Sequence, residues 1–276
     1  FKSIMSLLEP FFNIKLDFKL SLLPTATPYS RNAIFCGLFP DEMVKKYPKQ
    51  GDDMKNDSTS LNQHEKQFLI DQLKKMGLGD KRVHYHKIWA VEEGKKFNNR
   101  IKDYLQQDVL ALVVNFVDIL AHKSSQMDVL KEMVPDESGY RTAVRSWLNH
   151  SWLLQVLKKL SENNFTVILT SDHGSIRVQR DVMVAADREA SSGVRYKYGR
   201  NLNTKEKNAI VIKEPEKFRL PVFGPQPSYI VAKDDFYFIY PNQAHKYQSK
   251  FKNSFQHGGI SMEEMMVPVA IMKGRG

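Results

Sequence analysis

The sequence has 276 residues, 42% hydrophobic and 11% aromatic, and its 41 lysines and arginines against 31 aspartates and glutamates give a formal net charge of +10. This composition excludes a disordered chain, and no apolar run approaches the roughly 20 residues that a membrane-spanning helix needs. The single cysteine, Cys36, excludes an intrachain disulfide framework and favours a reducing cytoplasm.

The positive charge leaves the class of partner open. It favours polyanions such as nucleic acids, nucleotides or phosphate esters, and it is equally typical of a solvated basic surface. The chain begins at Phe1 in a helix-like stretch without a signal-peptide pattern. We therefore expect it to be a piece of a longer protein that is not inserted in a membrane.

Short apolar runs alternate with amphipathic helical patterns along the chain. Helices are predicted at residues 1–12, 63–76, 95–106 and, as one long helix, 141–163. Strands are predicted at residues 12–20, 83–90, 109–117, 165–170, 209–212, 229–231, 236–240 and 266–272. This alternation predicts a single α/β domain over residues 1–276, with a mainly parallel sheet flanked by helices. The polar segments near 43–80 and 175–208 fit this plan poorly and are interpreted as insertions at the rim of the sheet.

Ionisable side chains follow two of the apolar strands. Asp118 and His122 come after the run VLALVVNFV, and Asp172, His173 and Gly174 come after FTVILT. If these strands are parallel, both clusters emerge at the carboxyl edge of the sheet, where open α/β sheets bind ligands. Carboxylate and imidazole groups together favour a divalent ion of the zinc class.

Two further segments carry candidate chemistry. His257 is followed by two glycines that permit a tight turn, and by an S-x-x-E capping box formed by Ser261 and Glu264. Upstream, Pro28 predicts a helix start with Thr27 as the N-cap, and Gly37 is the expected C-terminal stop of that helix. A hydroxyl at that position, near free N–H groups and the positive end of the helix dipole, suits catalysis on phosphate, although Thr-Pro is also an ordinary helix start.

The order of these chemical groups resembles the signature of the alkaline phosphatase superfamily: Thr27, then Asp118 with His122, then Asp172 with His173, then His257. The segments PTATPYSRNAIFCGLFP and HGGISMEEMMVPV are similar to the PglZ-type branch, in particular the effector domain of PorX-type response regulators. The resemblance implies zinc, phosphodiester or nucleotide-type substrates, an upstream phospho-receiver domain and a link to type IX secretion.

The resemblance also implies a role for each residue. Asp118, His122 and His257 would hold one ion, and Asp172 and His173 the second, with Thr27 as the nucleophile. The family takes one more aspartate from a first strand that this sequence lacks, so we expect the second site to be weakened or absent.

The contacts to the substrate phosphate are less defined. Arginines and other polar residues after Thr27 and in the segment 175–208 are candidates, because guanidinium groups match phosphate oxygens: Arg31, Asn32, Arg188, Arg195, Lys197 and Arg200. Two other functions stay open. One is a non-catalytic signalling module that binds a sigma factor, a nucleotide or a second copy of itself, and the other is a nucleic-acid binder driven by charge.

Overall fold

A computed structural model describes residues 1–52, 63–124, 132–185, 193–205 and 207–275. The helices are α1 (Lys2–Leu8), α2 (Thr27–Cys36), α3 (Pro40–Lys46), α4 (Pro48–Asp52), α5 (Glu65–Lys75), α6 (Val91–Asn99), α7 (Ile101–Tyr104), α8 (Phe116–Ser124), α9 (Glu137–His150), α10 (Trp152–Glu162), α11 (Ala244–Phe251) and α12 (Met262–Met265). The strands are β1 (Phe12–Leu20), β2 (Val83–Ile88), β3 (Val109–Val114), β4 (Thr166–Thr170), β5 (Ile176–Arg177), β6 (Arg180–Met183), β7 (Tyr196–Gly199), β8 (Ala209–Ile212), β9 (Ser228–Ala232), β10 (Phe236–Ile239), β11 (Phe255–Gln256) and β12 (Met266–Gly274). Each predicted strand is present within a few residues of its expected bounds. No described helix combines the length and the hydropathy needed to cross a bilayer.

The chain divides into two compact units. Unit 1 comprises Phe1–Lys19, Asp80–Ser171 and Pro268–Gly276, and unit 2 comprises Leu20–Gly79 and Asp172–Val267. The segments interpreted as insertions, near 43–80 and 175–208, lie in unit 2 except for residue 80. The single domain and its insertions stay predictions.

Unit 1 contains parallel and antiparallel strand pairs. Strands β2 and β3 are parallel, and β12 pairs antiparallel with β4 in a three-stranded sheet of order β1-β12-β4. Helix α10 supplies a buried apolar stripe to the core through Val156, Leu157 and Leu160. Burial of each such side chain contributes about 1.5–3 kcal/mol, so this stripe is a main stabilising feature of the unit.

The single helix predicted over 141–163 is wrong, because the chain forms α9 and α10 with a break at Ser151. This residue has extended backbone angles (φ −91°, ψ 157°). Its hydroxyl donates to the Leu148 carbonyl at 2.9 Å and accepts from the Leu154 N–H at 3.4 Å. The apolar spacing continues across the break, so periodicity alone could not reveal the cap.

Unit 2 packs helix α2 against strands β7 and β9. The rings of Tyr196 and Tyr229 meet the fully buried ring of Tyr29 edge-on, with centroids 5.8 and 6.5 Å away. In this unit β7-β9-β8 form an antiparallel sheet, while β10 pairs in parallel with β6. Helix α2 ends as predicted at Gly37, which has φ +62° in the left-handed region.

Replacing Ser151 tests the helix break. Ser151→Ala is expected to lower the free energy of unfolding by about 1 kcal/mol, because the cap of α10 is lost. Urea denaturation measures the change. The control is Ser249→Ala, which removes an exposed hydroxyl bonded to the Lys246 carbonyl and should stay within about 0.5 kcal/mol of the parent. Equal stability of both variants would contradict the cap.

Candidate metal and nucleophile site

The hydroxyl of Thr27 lies at the beginning of helix α2. The N-cap is Ala26, with φ −136° and ψ 139°, and not Thr27 as predicted. Because Ala26 has no side-chain oxygen, the cap makes no side-chain hydrogen bond, and Thr27 is the first helical residue. Its Oγ1 lies 3.1 Å from Nε2 of His173, so the hydroxyl faces an imidazole.

His173 is held in a defined tautomer. Its Nδ1 lies 2.9 Å from the carbonyl oxygen of Gly174, and a carbonyl can only accept, so Nδ1 carries the proton. The Nε2 lone pair is therefore directed at Thr27 or at a cation. A larger residue in place of Gly174 would force the backbone to shift, since an added Cβ would lie 1.9 Å from the Glu263 carbonyl oxygen.

Asp172 offers a carboxylate oxygen beside the same imidazole. Its Oδ2 lies 3.7 Å from His173 Nε2, and it is buried with no hydrogen-bond partner in the part of the chain that the structure describes. The backbone of Asp172 is fixed, because the Ser21 hydroxyl donates to its carbonyl. A buried carboxylate oxygen without a donor is costly, and a cation is one partner that would offset that cost.

His257 stacks on His173, with ring centroids 4.1 Å apart and an angle of 22° between the planes. Its Nδ1 lies 3.1 Å from the Thr25 carbonyl oxygen, so this imidazole also keeps its lone pair on Nε2. Metal-binding histidines commonly donate their other N–H to a backbone carbonyl in this way. Unit 2 therefore brings Thr27, Asp172, His173 and His257 into one linked set of contacts.

The donor types of these residues fit zinc-class ions. The set contains two imidazoles whose Nδ1 atoms face backbone carbonyls, which leaves Nε2 as the donor atom toward a metal, and one carboxylate oxygen without a hydrogen bond, and these are the donor types that zinc prefers. The donor chemistry and the unpartnered oxygen of Asp172 support this fit.

Asp118 and His122 lie in unit 1 on helix α8. Strand β3 ends at Val114, so both residues are helical and not at a strand end as predicted. Their spacing of four residues brings His122 Nε2 to 3.3 Å from Asp118 Oδ1. The hydrogen bond to Asp118 raises the pKa of His122 above its ordinary value, and burial opposes this shift.

The loop that carries His257 is anchored by a buried ion pair. Arg195 Nε donates to Glu264 Oε1 at 2.9 Å, and both side chains are 0% exposed. The same carboxylate accepts from the Gly259 N–H at 2.9 Å and from the Ser261 hydroxyl at 2.7 Å. The capping box predicted the cap by Ser261, whose hydroxyl accepts from the Glu264 N–H at 3.2 Å. The contacts of the Glu264 carboxylate with Gly259 and Arg195 had no local signal in the sequence.

The predicted phosphate contacts have different environments. Arg195 is engaged by Glu264 and the Phe236 carbonyl, so it stabilises the protein core and is not placed to meet a substrate. Asn32 and Lys197 are likewise buried, the first donating to the Pro28 carbonyl and the second lying over the Tyr240 ring. These three predictions conflict with the observed burial.

The other three candidates differ again. Arg31 pairs with the fully buried Glu65, with Nε 2.6 Å from Oε1. Arg200 is exposed, and Arg188 lies outside the described residues.

The structure is similar to the crystal structure of phosphonoacetate hydrolase from Sinorhizobium meliloti 1021 in complex with phosphonoformate. The TM-score is 0.57 at 11% sequence identity, over 97% of this chain and 83% of that chain. A crystal structure of phosphonoacetate hydrolase from the same source in complex with phosphonoacetate matches with a TM-score of 0.41 at 12% identity, over 64% of this chain and 48% of that chain, and supports no argument. The first likeness shows that the chain shares the fold of that hydrolase, and it says nothing of the activity.

A protein-family profile matches almost the whole chain. The profile described as "BREX system PglZ alkaline phosphatase-like domain" matches residues 2–272. The chain therefore belongs to the PglZ family of alkaline phosphatase-like domains, as the sequence motifs indicated. No curated protein matches the chain.

The ion pair of Glu264 provides a stability test. Glu264→Gln is expected to lower the free energy of unfolding by about 3–5 kcal/mol, because the buried guanidinium of Arg195 loses its counter-charge. The matched control is Glu263→Gln at the adjacent exposed position, for which we expect a change within about 0.5 kcal/mol. Guanidinium chloride unfolding compares the two, and similar small effects would show that the pair does not stabilise the loop.

Proposed function

We propose that the chain is a zinc-dependent phosphoesterase that cleaves nucleotide-type phosphodiesters with Thr27 as the nucleophile. The observation that carries this proposal is the 3.1 Å contact between the Thr27 hydroxyl and Nε2 of His173, whose other ring nitrogen donates to a carbonyl. Membership of the PglZ family supports the hydrolase class. The net charge of +10 is suited to an anionic substrate.

The proposed ligands form two sets. Asp172 and His173 would hold one ion, which the unpartnered Oδ2 of Asp172 supports. Asp118, His122 and His257 would hold the other, following the resemblance of the sequence motifs. Bound zinc would supply positive charge that lowers the pKa of the Thr27 hydroxyl and balances charge on the phosphoryl oxygens.

The protein itself orients the Thr27 hydroxyl and provides an electrostatic field that favours negative charge there. Thr27 is the first residue of the ten-residue helix α2, where free N–H groups and the helix dipole stabilise negative charge. The Thr27 hydroxyl would give up its proton to solvent, and attack by its Oγ1 would form an oxygen–phosphorus bond as the bond to the leaving group breaks. Water would then hydrolyse the phosphothreonine and restore the hydroxyl.

The biological setting is a further part of the proposal. The resemblance to PorX-type effector domains supports an output domain of a two-component response regulator, joined to an upstream phospho-receiver domain and linked to type IX secretion. We include in this proposal that the domain contacts a sigma factor or a second copy of the chain. In that case phosphorylation of the receiver would be the input that changes activity or association.

Removing the proposed nucleophile tests catalysis. Thr27→Ala is expected to reduce hydrolysis of bis-p-nitrophenyl phosphate by at least about 1,000-fold, with zinc content retained, because no other hydroxyl is placed in the described contacts of His173. Thr204→Val is the control, since it removes a hydroxyl bonded to the Met183 carbonyl outside the site. A zinc-free, inert parent that Thr27→Ala leaves unchanged would favour the non-catalytic signalling module.

Removing a carboxylate tests metal binding. Asp172→Asn is expected to lower the zinc content by about one ion per chain, because an amide is a poorer zinc ligand than a carboxylate. Elemental analysis after dialysis measures this, and Asp181→Asn serves as the control because Asp181 accepts from Gln248 on another part of unit 2. Unchanged zinc in Asp172→Asn would contradict the ligand assignment.

A further inference from the structure

Thr25 holds the His257 loop by three hydrogen bonds. Its carbonyl accepts from His257 Nδ1 at 3.1 Å, and its hydroxyl accepts from the Gly258 N–H at 3.1 Å and donates to the Gly259 carbonyl at 2.7 Å. The side chain of Thr25 is 0% exposed. One residue, two positions before Thr27, thus contacts three consecutive residues of the loop.

The conformation of the His257 loop depends on contacts with other segments, because its two glycines restrict the backbone little. Gly258 has φ +114°, and a Cβ there would lie 2.5 Å from the Tyr196 ring. A Cβ on Gly259 would lie 2.2 Å from Arg195 Nη2 and 2.6 Å from the Ala232 carbonyl oxygen. Crowding therefore requires glycine at both positions, and two glycines in series leave the imidazole that precedes them poorly fixed by the chain itself.

We propose that Thr25 is a positioning residue that fixes the His257 imidazole for zinc. The inference rests on the proposed function and adds a residue that the alkaline phosphatase motif does not include. The carbonyl of Thr25 sets the tautomer of His257, and the hydroxyl holds the two glycines so that the ring stays against that carbonyl. Groups that orient a metal-binding histidine in this way commonly affect metal affinity as much as some ligands do.

The hydroxyl can be removed without removing the loop's other anchor. Glu264 accepts independently from the Gly259 N–H, and its pairing with Arg195 does not involve Thr25. Thr25→Val keeps the shape of the side chain and leaves the Gly258 N–H and the Gly259 carbonyl without this partner. We therefore expect a loosened histidine in a folded protein.

The experiment compares Thr25→Val, Thr25→Ser and the control Thr204→Val, which loses a hydroxyl–carbonyl bond of 2.8 Å elsewhere in unit 2. Zinc affinity is measured by chelator competition, and the thermal midpoint is measured on the zinc-free proteins. Thr25→Val is expected to bind zinc roughly 10–100-fold more weakly than the parent. Thr25→Ser, which keeps the hydroxyl, and Thr204→Val should bind zinc as the parent does.

A merely structural role would lower the midpoints of both valine variants without a selective loss of zinc. If the parent binds zinc and Thr25→Val binds it equally well, the inference is overturned while the proposed function stands. A zinc-free parent would overturn both. If Thr25→Val does not fold, the rate of hydrogen exchange of the Gly258 amide in the parent tests the inference instead. An unprotected amide would contradict its hydrogen bond to the Thr25 hydroxyl.

Discussion

Two backbone carbonyls determine the chemistry of this site. The carbonyl of Gly174 accepts from His173, and the carbonyl of Thr25 accepts from His257, in each case through Nδ1. Because a carbonyl cannot donate, both imidazoles present an unprotonated Nε2. Without these acceptors the rings could rotate or change tautomer, and neither the contact with Thr27 nor a stable set of metal donors would follow.

The surrounding fold is arranged to keep those carbonyls in place. Gly174 is confined by the backbone of Glu263, and the loop of His257 is held by the carboxylate of Glu264. That carboxylate is buried with Arg195, which makes the loop depend on a pair of charges remote in sequence. A buried pair of this kind adds little net stability by itself, but its loss leaves an uncompensated charge. The role of the pair is therefore to fix the conformation of the His257 loop.

Local signals in the sequence predicted much of this arrangement. The apolar strand before Asp172, the left-handed stop at Gly37 and the helix cap at Ser261 each follow from neighbouring residues, and the structure agrees with them. The order of the chemical motifs indicated the alkaline phosphatase superfamily, and two segments around Thr27 and His257 indicated its PglZ branch, which the profile match confirms.

Two helix boundaries and one buried arginine were not predicted. The break at Ser151 is hidden by an apolar spacing that continues through it, and Phe116 and Val117 extended the apparent strand into helix α8. The burial of Arg195 depends on Glu264, 69 residues away, and an arginine in a polar segment resembles a surface residue. Tertiary pairing, which the local sequence does not encode, decided the burial of Arg195, whereas the break at Ser151 rests on local hydrogen bonds to Leu148 and Leu154.

X-ray diffraction at the zinc absorption edge, from crystals grown with zinc, tests the account most directly. We predict anomalous density at zinc–nitrogen bonding distance, about 2.0–2.1 Å, from Nε2 of both His173 and His257, with each Nδ1 still bonded to its carbonyl. Density at Nδ1, or none at either imidazole in an active enzyme, would contradict the claim that the two carbonyls prepare these histidines for metal.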